Sequence, residues 1–161
     1  IGGGPQLIST PLTTAGFDGD IASSWPNLKP DTSFVKSANG VKIEFQIEPG
    51  KIISGEEADV PIHFEDEKTG QPVKDLQRYL GAFGHAMMLS EDMTEHVHAH
   101  PEETLEGTAV TDGGGPDLVF HALFPKPGHY RIWLQFQRNN IVSTVPFTVR
   151  VLRSGETVAA R

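Results

Sequence analysis

The sequence predicts an all-β fold: a seven-stranded antiparallel sandwich of immunoglobulin-like or cupredoxin-like type, with a loop-rich N-terminal extension. Three observations carry that expectation. Glycine and proline number 17 and 12 in 161 residues, an excess that suits many turns and excludes a helical bundle. Apolar residues recur at every second position in several segments, the period of a half-buried strand. Short turn signals rich in Gly, Pro, Asn and Asp separate those segments.

The expected organisation is a linker or irregular extension over 1–40, the sandwich over 41–152 and a frayed tail over 153–161. Nineteen of the first forty residues are Gly, Pro, Ser or Thr, and their apolar periodicity is weak, as in a linker. Trp25 is the exception, since a Trp in a pure linker is unusual, and docking of its ring on the domain is the alternative.

From Val41 onward each strand has its own warrant. VKIEFQIE puts Val41, Ile43, Phe45 and Ile47 on one face, and Pro49–Gly50 ends it. ADVPIHFED turns Val60, Ile62 and Phe64 inward. VKDLQRYL, after the EKTGQPV turn, reads as a short helical turn or an irregular crossover. GAFGHAMMLS and EHVHAH are the third and fourth strands, joined by a short polar turn. DLVFHALF follows the GGGP turn as the fifth. HYRIWLQFQ aligns Tyr130, Ile132, Leu134 and Phe136, and IVSTVPFTVRVL aligns Val145, Phe147, Val149 and Val151. These inward residues, Ile47 and Val151 aside, form the expected core, each large one contributing roughly 1.5–3 kcal/mol on burial.

Charge and composition narrow the function. The formal net charge is −8, which excludes a phosphate-tracking nucleic-acid binder and suits cations. No apolar run approaches the ~18 residues of a membrane span, so no direct insertion into a membrane is expected. Cysteine is absent, so disulfides, thiolate metal sites, Cys nucleophiles and blue-copper electron transfer are excluded. The chain begins at Ile1 rather than Met. A signal peptide, a lipid anchor or another segment ahead of it is the corresponding expectation. No nucleophile elbow, phosphate loop, dinucleotide fingerprint or H-E-x-x-H motif is present.

The chemistry concentrates in one window. His85, His96, His98, His100 and His121, with Met87, Met88 and Met93, fall within 37 residues. Period-two spacing puts His96, His98 and His100 on one face of a strand. If the hairpin turns about Asp92 and Met93, His85 lies opposite His100, Met87 opposite His98 and Leu89 opposite His96. Cross-strand Cβ atoms ~5 Å apart let such side chains reach one ion. A one-residue slip would spoil that parity. Imidazole suits Cu, Zn, Ni and Fe, and a thioether adds a preference for Cu(I). The plain alternative is a solvated edge strand. His121 is either a satisfied buried histidine or a further ligand. Met87 is the better ligand candidate among the methionines, and Met88 reads as core filler. His63 and His129 are expected to stay apart from the cluster. Glu102 and Glu103 read as a solvated loop, with ligand-orienting roles as the alternative.

The stretch from PIHFEDEKTGQPV through TVPFTVRV resembles the YtkA-like group of bacterial exported domains. The elements that carry the resemblance are EDEKTGQP, LGAFGH ending at His85, SED at 90–92, His98-Ala99-His100-Pro101, FPKPGHYRIWLQF and VPFTVRV. It covers about residues 56–152. It implies an immunoglobulin-like sandwich accompanying heavy-metal handling, chiefly of copper, at the cell envelope, with His85, His98 and His100 as the ligand set. His96, His121 and His129 are outside its pattern.

Three functions are therefore weighed. The first is a non-enzymatic domain that binds a transition metal, copper first and zinc second, for sequestration, delivery or sensing. It would be periplasmic or extracellular, with a membrane transporter or metallochaperone as protein partner. The second is a metal-free interaction or spacer module beside a transporter or sensor. The third is a His-ligated copper or zinc enzyme, for which the sequence nominates no general base.

Overall fold

A computed structural model describes residues 10, 16, 27–48, 50–101 and 113–156. Trp25, Glu102, Glu103 and the tail over 157–161 lie outside the described residues. The elements are β1 (Val35–Ala38), β2 (Val41–Phe45), β3 (Ile52–Ile53), β4 (Glu57–Asp66), β5 (Gly84–Ser90), β6 (His96–Ala99), β7 (Asp117–Leu123), β8 (Gly128–Arg138) and β9 (Ile141–Leu152). The seven expected strands are β2 and β4 to β9. β1 and β3 are additional, and both are short.

The strands form two sheets, ordered β1-β2-β4-β7 and β3-β9-β8-β5-β6. All pairs are antiparallel except β3 with β9. Consecutive strands alternate between sheets at β4 to β5 and at β6 to β7 to β8, which is the crossing pattern of an immunoglobulin-like sandwich. The inner faces meet along the alternation in the sequence. Ile43, Phe64, Tyr130, Ile132, Leu134, Phe136, Phe147 and Val149 are wholly inaccessible, and Val41, Phe45, Val60, Ile62, Val145 and Val151 nearly so.

Tyr130 shows how the sandwich accommodates a polar group in that core. It stands near the start of β8, and its hydroxyl donates to the Lys126 carbonyl at 3.0 Å. This closes the corner between the two sheets much as the tyrosine corner of immunoglobulin-like domains does. Burial pushes the phenol up to about 12, against the opposing effect of that hydrogen bond.

Two regions differ from the strand reading. β1 begins ahead of the expected domain start at 41 and joins β2 through Asn39 and Gly40, both at positive φ. Both residues of a two-residue hairpin turn need that conformation. Just before it, Leu28 is buried, and Asp31 exchanges backbone and side-chain hydrogen bonds with Thr148 at 2.9 and 3.0 Å. The crossover over 73–80 is irregular rather than helical. It adds Val73 and Leu76 to the core and bridges Leu76 to Gly114. A Cβ on Gly114 would stand 2.4 Å from the Phe83 ring, so only glycine fits there.

Candidate metal centre

The site is built on the β5–β6 hairpin, where β6 is the outer strand of its sheet. The turn is fixed by its own polar residues. Asp92 Oδ1 accepts from the Ser90 hydroxyl at 2.7 Å and from the Thr94 amide and hydroxyl at 3.2 and 3.0 Å. Lys126 donates to Asp92 Oδ2 and to Thr94 Oγ1. Met93 takes a left-handed φ of 58°, and its amide donates to Ser90 O at 2.8 Å. Burial alone would raise the Asp92 carboxyl. The Lys126 ammonium and the Ser90 and Thr94 donors outweigh it and hold the group well below the usual carboxylate range.

That turn sets the register. Met87 pairs with His98, Met88 with Val97 and Leu89 with His96. The hairpin therefore does pivot between Asp92 and Met93. Residues 85, 87 and 89 face outward together with 96, 98 and 100, and Met88 faces the core, fully buried.

Three imidazoles converge. The ring centroids of His85 and His100 are 4.7 Å apart, those of His98 and His100 4.7 Å, and those of His85 and His98 5.8 Å. One ligand nitrogen from each lies within 4.8 Å of the other two. Nitrogens around a tetrahedral ion, bound at ~2.0–2.1 Å, stand about 3.3 Å apart.

His85 differs from its neighbours in burial, with 7% of its surface exposed, while His98 and His100 are open to water. Its Nε2 lies 2.7 Å from the Tyr79 carbonyl oxygen. A carbonyl only accepts, so Nε2 carries the hydrogen and Nδ1 keeps the lone pair a metal would use. The Tyr79 carbonyl is aimed by a two-residue turn. Tyr79 and Ala82 exchange backbone bonds at 2.8 and 3.2 Å, across Leu80 and Gly81 at positive φ. Orientation of a ligand imidazole by a carbonyl on its far nitrogen is the usual arrangement in metal sites. The sequence reading does not nominate Tyr79, because any residue type supplies a carbonyl.

His98 favours the neutral form. Burial first, then the like charges of His100, His85 and His96, lower the pKa of His98 below the ordinary 6.5.

The remaining candidates fall elsewhere. His96 is the ladder's outer rung: its ring centroid is 6.4 Å from that of His98, and it is outside the converging group. Met87 lies directly opposite His98 and is 46% exposed. His121 belongs to β7 in the other sheet, where its Nδ1 is 2.7 Å from Asp59 Oδ1. It pairs with a carboxylate across strands rather than joining the three, because its strand crosses to the opposite layer. His63 is 2.6 Å from Asp117, and His129 is 3.4 Å from Glu91. Both stand apart from the cluster.

Residues 36–153 match the family described as "Domain of unknown function (DUF8832)". No curated protein matches the chain. Among solved structures, one described as "X-ray Crystal Structure of a Putative Lipoprotein from Bacillus anthracis" is similar over 78% of this chain and 88% of that one, with 10% identity and a TM-score of 0.44. These comparisons name no enzyme, and the copper-associated group that the sequence resembles is not what they match.

Proposed function

The chain belongs to the DUF8832 family, and we propose that it binds a transition-metal ion through His85, His98 and His100. The observation that carries this is the convergence of three ligand nitrogens within 4.8 Å on the β5–β6 hairpin. Their chemistry decides the class of ion. Three imidazoles, with no carboxylate in the group among the described residues, suit Cu(II) or Zn(II) and leave a coordination position open. Copper is the first choice and zinc the second. The anionic chain also favours approach of a cation.

The role proposed is sequestration, delivery or sensing of the ion outside the cytoplasm, with a transporter or metallochaperone as the protein partner. Two of the three rings face water, as exchange with another ligand donor requires. Enzymatic use of the open position would need a general base beside the ion, and none of the described residues converging on the site is a carboxylate.

Titration calorimetry at pH 7.5 with Cu(II), Zn(II) and Ni(II) tests the proposal. Binding tighter than about 10 µM is expected for at least one ion. His85→Ala or His100→Ala is expected to weaken it at least tenfold, about 1.4 kcal/mol, while His63→Ala leaves it unchanged. No binding by the wild-type chain overturns the proposal and leaves the metal-free interaction module.

A further inference from the structure

Met87 is one of several exposed apolar side chains, and its place beside the histidines sets it apart. Its neighbour Met88 is fully buried, whereas Met87 is 46% exposed on the outer face of the sheet. On that face it lies opposite His98 on one side and Trp133 on the other. Along its own strand it is two residues from His85, so both have the same parity. A thioether in that place adds little to the core. It is within side-chain reach of the position where the three imidazoles converge, since directly paired residues have Cβ atoms ~5 Å apart.

Thioether sulfur is a soft, neutral donor. It contributes to Cu(I), which accepts sulfur readily, and little to Zn(II) or Cu(II) in competition with water and nitrogen. Resting on the metal-binding reading above, we propose that Met87 is a fourth, specificity-determining ligand that lets the three-histidine site hold Cu(I) as well as Cu(II). The three imidazoles serve both oxidation states, and Met87 serves the reduced one. Met93 is the natural control. It sits at the hairpin tip, lining a groove with Leu28, Leu89, Trp133 and Pro146, at the end of the hairpin remote from His85 and His100.

The test uses the whole chain. Cu(I) affinity is measured anaerobically by competition with a chromophoric Cu(I) chelator, and Cu(II) and Zn(II) affinities by calorimetry. Met87→Leu keeps the size and hydrophobicity of the side chain and removes the sulfur. It is expected to weaken Cu(I) binding at least tenfold and to leave Cu(II) and Zn(II) within twofold, while Met93→Leu changes none of them. X-ray absorption of the Cu(I)-loaded wild-type chain is expected to show one sulfur neighbour that Met87→Leu loses. Cu(I) affinity unchanged in Met87→Leu, equal weakening for all three ions, or a wild-type Cu(I) spectrum of nitrogen neighbours alone overturns the inference while the three-histidine site stands. A wild-type chain that binds none of the ions overturns both.

Discussion

His85, His98 and His100 differ in their surroundings within one candidate metal site. His85 is withdrawn from water and locked by the Tyr79 carbonyl, so its lone pair is fixed in direction before any ion arrives. His98 and His100 supply the accessible side. His98 also stands between like groups, and its pKa is lowered by burial and by His100, His85 and His96. The sign of the consequence follows. Near pH 7.5 His98 is neutral in folded and unfolded chains alike and contributes no pH dependence. As pH falls through 6.5 the unfolded chain takes up the proton first, so the metal-free fold loses stability toward acid until the lower folded value is passed. The same shift keeps His98 ready as a ligand into mildly acidic solution, because only neutral imidazole binds a metal. A proton NMR titration of the metal-free chain is expected to place the His98 midpoint below 6.5. A midpoint at or above that value contradicts the crowding of the three rings.

At the scale of the element, the hairpin matters more than either strand alone, since its register decides which side chains meet. Asp92 holds the turn through Ser90, Thr94 and Lys126. Asp92→Asn is expected to cost about 1 kcal/mol at pH 7, below the usual ~1.5–3 kcal/mol for a charged hydrogen-bond acceptor because part of the carboxylate is in water. The folded carboxyl titrates below its unfolded value of 3.8, so its contribution is present above that value. It disappears as pH falls through the lower folded one. Urea unfolding of both chains checks this: the difference should be full at pH 7 and shrink only in strong acid. Equal stabilities at pH 7 would mean that the turn is fixed by something else. Much of this element is legible in the sequence. Period two fixes the common face of His98 and His100, whereas Met87 opposite His98 is legible only on the condition that the SEDMT turn centres on Asp92 and Met93, which the register meets. The Tyr79 carbonyl is not legible, because a backbone acceptor has no residue signature. β1 is not legible either: its side chains are exposed or half-buried, so VKSA shows no apolar alternation. The cross-strand partner of His121, Asp59, depends on strand order, which alternation does not specify.

The whole molecule separates stability from function by using opposite faces of the same strands. In β8, Phe136 points inward against Phe64, with ring centroids 5.1 Å apart, while the preceding residue, Gln135, is paired with His85 and has the opposite parity. Phe136 is fully buried, and Phe136→Ala is expected to cost ~3–5 kcal/mol through lost burial and a cavity. A metal ion that binds the folded chain adds stability by mass action, about 2.7 kcal/mol at one hundred times Kd. The ion's increment comes from the outer face and the cavity's cost from the inner one, so the two should add with little coupling. Denaturation of the wild-type and Phe136→Ala chains, each with and without saturating Cu(II) or Zn(II), measures both. The expected result is a large loss in the variant and nearly the same metal-induced gain in each chain, reversed by a chelator. A folded Phe136→Ala chain that gains nothing from the metal would show that the core and the three histidines form one cooperative unit, and that the hairpin depends on the packing beneath it to hold its ligands in place.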